Sequence, residues 1–142
     1  MFDIVVVGAD QSVVARHAVE HAAELVRATG GTLHIVGAYK PHPASLEDLP
    51  DEFRYTMSSP GSADELLAEL ANVVLSRGVE AVTHAVDAGP AEALVRVAHQ
   101  EGADLIVVGN KSSHAGRRAL GSVPNAVAND APCAVLILPG DE

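Results

Sequence analysis

Tryptophan is absent from this chain of 142 residues, and Phe and Tyr together supply only 3% of it, although 48% of the residues are apolar. A core must therefore be packed from Ala, Val, Leu and Ile, whose small or β-branched side chains let helices approach a sheet closely. The single cysteine, Cys133, excludes an internal disulfide and a multi-cysteine metal site. In "APCAVLIL" it reads as a small hydrophobe at a strand start, the alternative being a reactive thiol. No run of about 18 apolar residues could span a bilayer, and no signal-peptide pattern opens the chain, so a soluble, cytoplasmic protein without membrane contact is expected. Basic residues are scarce as well, nine Lys plus Arg against nineteen Asp plus Glu, for a formal net charge of -10. That balance argues against a general nucleic-acid binder, whose affinity comes largely from cations neutralising phosphates over an extended surface. The length fits a single domain, 1-142.

What is present alternates between two periods. "DIVVVG" (Asp3 to Gly8) is a short, continuous β-branched run of the kind a doubly buried parallel strand requires. Similar runs occur in "GTLHIVGAY", "EAVTHAVDAG", "DLIVVGN" and "CAVLILP", making five strands. Between the first two, Ala15, Ala18, Val19, Ala22, Leu25 and Val26 form a helical stripe, with Asp10 or Ser12 as N-cap and Gly30 as stop. Ser62 and Glu65 read as a capping box ahead of Leu66, Leu67, Leu70 and Val74, with Gly78 ending that helix. Pro90 opens a third helix that Gly102 terminates, and Ser122 caps a short fourth one to about Asn129. Alternating strands and helices predict a parallel α/β sheet with right-handed crossovers and helices on both faces. Ligands of such sheets bind beyond the carboxyl ends of the strands, where strand order reverses. A reversal between strands one and four, which the sequence permits, makes "GADQS" and "GNKSS" face each other.

One connection is too long for this scheme. Lys40 to Gly61 holds four of the eight prolines and four acids, together with Phe53, Tyr55 and Met57. It reads either as a surface loop or as a lid or contact segment.

Leu105 to Asn129 contains no acidic residue, yet Lys111, His114, Arg117 and Arg118 fall there. Glycines after a buried strand let backbone N-H groups approach a phosphate, and Ser122 at a helix start adds a hydroxyl and the positive end of a dipole. An ordinary loop with solvated charges has the same composition. Neither G-x-x-x-x-G-K-[ST] nor a G-x-G-x-x-G after the first strand occurs, which argues against a P-loop NTPase and a Rossmann dehydrogenase. His17, Glu20 and His21 spell H-x-x-E-H, but on the face opposite the apolar stripe and without a third ligand, so no zinc-peptidase site is expected. His34 and His84, within strands, read as packed or edge residues. Asp10 is either an N-cap or a site residue orienting a ligand hydroxyl or base edge. No Ser-His-Asp, Cys-His or paired-carboxylate arrangement emerges, so no catalytic residue and no metal ligand is assigned.

Taken together, "VVVGADQS", "GPAEALVRVA", "ADLIVVGN" and "LGSVPNAVANDAPCAVLIL" resemble the universal stress protein family from Phe2 to Leu138. The resemblance implies an open, Rossmann-like five-stranded parallel sheet in the order 3-2-1-4-5, and a homodimer paired through the last strand, Cys133 to Leu138. Nucleotide-binding members carry G-x-x-G-x9-G-[ST], which holds phosphate and ribose. Gly109, Gly121 and Ser122 match it, with Val108, Lys111, Ser113 and Val123 beside them. Gly8, Ala9 and Asp10 match the first strand end and Ala38 the second, where adenine is expected. Two departures stand out: Ser112 replaces the middle glycine, and eight residues rather than nine separate it from Gly121. A positive φ at Ser112 would cost about 1 to 2 kcal/mol. The implied function is a stress-response regulator binding ATP, AMP or cyclic AMP, with or without magnesium. The alternative is an adaptor that binds no nucleotide and acts on an unidentified protein partner through its dimer surface.

Overall fold

The computed structural model describes residues 1–41, 55–111 and 119–140. The chain runs β1 (Ile4–Ala9), α1 (Val13–Thr29), β2 (Thr32–Tyr39), α2 (Pro60–Leu75), β3 (Ala81–Asp87), α3 (Pro90–Glu101), β4 (Leu105–Asn110), α4 (Ser122–Asp130), β5 (Ala134–Pro139). All strand pairs are parallel, in the order β3-β2-β1-β4-β5. The order reverses between β1 and β4, as the sequence permits.

The middle of the sheet is apolar on both faces because it is covered on both. Val5, Val6 and Val7 are each 0% exposed, and burying such a side chain contributes about 1.5 to 3 kcal/mol. Val5 and Val7 join Leu33, Ile35 and Val107 beneath α1 and α2. Val6, Val36, Ile106 and Val108 pack with Leu94 and Val97 of α3 and Val127 of α4. Ala15, Ala18, Ala22 and Ala23 are the buried alanines of α1, so that helix lies close on the strands despite the lack of aromatic filler. Its terminus follows the expected chemistry, with Gly30 at φ 77° and its N-H donating to the Val26 carbonyl at 2.8 Å.

The edges differ from the doubly buried reading. β3 and β5 flank the sheet, and Val82 and Leu136 are exposed by 46% and 41%, since an edge strand has a neighbour on one side only. His34 of β2 is buried and its ring meets that of His84 on β3, with Nδ1 and Nε2 2.9 Å apart. Desolvation and the neighbouring His84 hold the His34 pKa below the usual imidazole value, against an opposing pull from Glu101.

Two helix starts also move. α2 begins at Pro60, and Ser59 rather than Ser62 is its N-cap, its Oγ accepting from the Ser62 amide at 3.1 Å. Proline fits the first helical position because its fixed φ and missing N-H cost nothing there, so the Ser-Pro pair outcompetes the Ser62/Glu65 box. In α4, Gly121 occupies the cap position and Ser122 is the first helical residue. Among the described residues no helix is long and apolar enough to cross a membrane.

Candidate functional site

At the carboxyl ends of β1, β2 and β4 lies a cleft, at the point where strand order reverses. Gly8, Ala9 and Asp10 line it from the end of β1, Ala38 from β2, and Val108, Gly109 and Lys111 from β4; Val123 closes it from α4. Gly121 and Ser122 stand immediately before Val123 at the start of that helix. Ser112 and Ser113 lie outside the described residues, as do His114, Arg117 and Arg118.

The two strand ends meet as expected. Lys111 Nζ stands 2.8 Å from Asp10 Oδ2, with both side chains partly shielded. Asp10 is not the helix cap. Ser12 is, its Oγ accepting from the Ala15 amide at 3.1 Å, while Asp10 Oδ1 accepts from the Ser12 amide at 2.8 Å and the Ser12 hydroxyl at 2.6 Å. Asp10 thus fixes the start of α1 with one oxygen and holds Lys111 with the other. It is the carboxylate among the described lining residues, and both its oxygens are engaged.

Gly109 is required by packing. A Cβ there would stand 2.5 Å from Val14 Cγ1 and 3.2 Å from the Val14 carbonyl oxygen, so its absence lets the first turn of α1 sit against the end of β4. At Gly8 a Cβ would stand 3.2 Å from Leu94 Cδ1, where α3 approaches.

α4 has no side-chain cap. Its first amides and the positive end of its dipole therefore remain without a capping side chain, an arrangement suited to an anion. The start of the helix is positioned by Asn110, a buried residue ending β4. The Gly121 amide donates to Asn110 Oδ1 at 2.9 Å, and Asn110 Nδ2 donates to the Ala119 carbonyl at 3.0 Å.

Sequence reasoning missed Asn110, although a polar residue ending an apolar strand is the same signal that singled out Asp10. It also missed Thr56, which is buried and lines the cleft from the far end of the long connection. A parallel bridge between Tyr39 and Met57, with the Lys40 amide donating to the Met57 carbonyl at 3.0 Å, brings Thr56 there. Tyr55 lies under Lys111, whose Nζ is 5.7 Å from the ring centroid. The carboxyl end of the Lys40 to Gly61 segment is therefore a contact segment at the cleft; Phe53 lies outside the described residues.

Cys133 is half-buried just before β5, against the core beneath α3 and α4. Burial, then Asp104, raises its thiol pKa, which favours the inert protonated form over a reactive one. His17 and His21 are exposed on α1, opposite its buried stripe.

The cleft thus joins apolar walls from Val36, Ala38, Leu94 and Val108 to a cation and an uncapped helix start. Such a site can take a flat apolar ring system at one end and an anionic group at the other. A model of the universal stress protein family matches residues 1–139. A universal stress protein of Mycobacterium tuberculosis is 36% identical over 142 residues, covering 96% of each chain. Among solved structures, a universal stress protein in complex with cyclic AMP is 31% identical, covers 99% of this chain and 98% of its own, and has a TM-score of 0.73. A family protein from Arabidopsis thaliana with AMP bound shares the fold at 21% identity and a TM-score of 0.70, covering 97% and 92% of the two chains. By sequence and by architecture, the chain belongs to the universal stress protein family.

Proposed function

We propose that this protein is a stress-response regulator that binds an adenine nucleotide, ATP, AMP or cyclic AMP, in the cleft between the ends of β1 and β4. The observation that carries the reading is the convergence of Lys111 and the uncapped start of α4 on one side of an apolar cleft. The relative that crystallised with cyclic AMP, 31% identical over nearly the full chain, supports it. In this reading adenine lies toward Ala38 and Thr56 and phosphate toward Gly121, Ser122 and Lys111. Charge-assisted hydrogen bonds of this type contribute about 1.5 to 3 kcal/mol each, so a few of them suffice for micromolar affinity. Both oxygens of Asp10 are engaged by Ser12 and Lys111, so a magnesium ion would arrive on the nucleotide's own phosphates. The reading assigns no catalytic step; it describes a cytoplasmic homodimer joined through β5, where Leu136 is exposed.

A second reading, an adaptor that binds no nucleotide and acts through that dimer surface, is favoured by Ser112 in place of glycine and the eight-residue spacing to Gly121. Calorimetric titration of ligand-stripped protein with ATP plus magnesium, AMP and cyclic AMP separates the two. Saturable micromolar binding of any one supports the sensor, and the Gly121→Val variant should then lose it. Gly121 has φ -69° and ψ 174°, a conformation open to any residue, so the substitution adds no backbone strain, and circular dichroism and thermal unfolding check that the variant is folded. Silence with all three nucleotides from folded protein overturns the first reading in favour of the adaptor.

A further inference from the structure

Away from the cleft, on the sheet face covered by α3, three side chains from three elements converge. His34 of β2, His84 of β3 and Glu101 at the end of α3 bring their donor atoms within 4.8 Å of one another. Strand register accounts for the pairing. His34 lies opposite Val82 and His84 opposite Val36, so the histidines are two positions out of step and project from the same face. α3 runs back toward the amino ends of the strands, which brings its last residue to them.

The ring geometry is informative. The centroids are 5.1 Å apart with 26° between the ring planes, while Nδ1 of His34 and Nε2 of His84 are 2.9 Å apart. A face-to-face stack would not separate the centroids so far at that nitrogen contact. The rings meet edge to edge, with the two nitrogens at hydrogen-bond distance, one donating to the other according to tautomer. Two histidine nitrogens on a common tetrahedral zinc ion, with Zn-N of about 2.0 to 2.1 Å, stand about 3.3 Å apart. Exchanging the proton between them for a metal therefore asks the nitrogens to separate by a few tenths of an ångström, and each ring to turn by about 35° so that its lone pair points at the ion. His84, half-buried on an edge strand, has room to make its part of this adjustment.

We infer that His34, His84 and Glu101 form a binding site for a first-row divalent transition-metal ion of the zinc class, with water completing the coordination. Two imidazoles and a carboxylate are a zinc-type donor set, whereas magnesium and calcium favour oxygen ligands throughout. The site joins β2, the edge strand β3 and the end of α3, so an ion there would cross-link three elements that otherwise meet at the sheet margin.

The test is titration of untagged, metal-free protein with zinc chloride, followed by calorimetry and by thermal unfolding, and repeated with cobalt(II) for its visible spectrum. Wild type should bind one equivalent saturably, with a raised Tm and a tetrahedral cobalt spectrum. His84→Gln and Glu101→Gln, which spare buried His34, should each weaken zinc binding by at least about tenfold while keeping the metal-free Tm near that of wild type. The double variant His17→Gln/His21→Gln, on the exposed face of α1, should bind as wild type does. Undiminished binding by His84→Gln, loss confined to the α1 double variant, or no saturable binding by wild type would each overturn the proposal.

Discussion

Asn110 and Gly121 tie the end of β4 to the start of α4: the Gly121 amide donates to the Asn110 side-chain oxygen at 2.9 Å, eleven residues away in sequence. The same side chain donates to the Ala119 carbonyl at 3.0 Å. One buried amide thus holds both approaches to the helix whose first turn faces the cleft, linking a strand-end residue to the proposed phosphate position.

Asn110→Ala removes both hydrogen bonds at a buried position and should lower stability by about 1 to 2 kcal/mol. Because Gly121 also loses its positioning partner, nucleotide affinity should fall about tenfold, equivalent to about 1.4 kcal/mol. Asn110→Asp keeps an acceptor for the Gly121 amide, loses the donor to Ala119, and adds a negative charge beside the anion site. Because it also buries a charge and sets a carboxylate oxygen against the Ala119 carbonyl, it should be no better folded than Ala and the weaker binder. Denaturant unfolding and calorimetry on both variants check this; Asp binding more tightly than Ala would contradict the positioning role.

Gly109 and Val14 form a second testable pair. Since a Cβ at Gly109 would stand 2.5 Å from Val14 Cγ1, Gly109→Ala should cost about 1 to 3 kcal/mol by overpacking. Val14→Ala removes that methyl group and should recover part of the loss. Recovery should be incomplete, because the Val14 carbonyl oxygen, 3.2 Å away, stays in place. A double-mutant cycle read by urea unfolding measures the coupling; additive effects would show that the two residues do not meet.

The parts of the fold that were legible depend on local signals. Continuous runs such as Val5 to Val7 marked strands, and Gly30 and Gly102, both at positive φ, marked helix ends by a conformation that glycine adopts without strain. That "GADQS" and "GNKSS" face each other followed once strand order was anticipated, whereas the ion pair of Asp10 and Lys111 within them is a tertiary contact. What stayed hidden rests on tertiary contacts. Thr56 reaches the cleft beside the bridge of Met57 to Tyr39, a pairing between segments far apart in sequence. His34 and His84, fifty positions apart, meet through the register of β2 against β3, and a slip of one residue would have put them on opposite faces. The α2 start was misplaced for a different reason, competition between two valid capping signals three residues apart, of which Ser59 with Pro60 prevailed.

Asp104 supplies the pH dependence. Its carboxylate accepts from the Asp3 amide at 2.9 Å and the Ile4 amide at 3.1 Å, fastening the start of β1 beside the start of β4. Desolvation pushes its pKa up, but the amides of Asp3, Ile4 and Asp104 itself, with the amino terminus, outweigh it and leave the group below its ordinary value of 3.8. A carboxyl lowered on folding binds fewer protons in the native state, so its stabilisation is fully present above the unfolded value and disappears as pH falls through the native one. Asp104→Asn keeps one acceptor and loses the charge. It should be less stable than wild type by about 1 kcal/mol at neutral pH, a figure reduced for the exposure of the Asp3 contact. That difference should hold down to about pH 5 and then shrink as wild type takes up its proton. Urea unfolding of both proteins from pH 7 to pH 2.5 follows the gap directly. A difference that stays constant through the acid range would mean that Asp104 acts by shape alone, and that its charge does not hold β1 to β4.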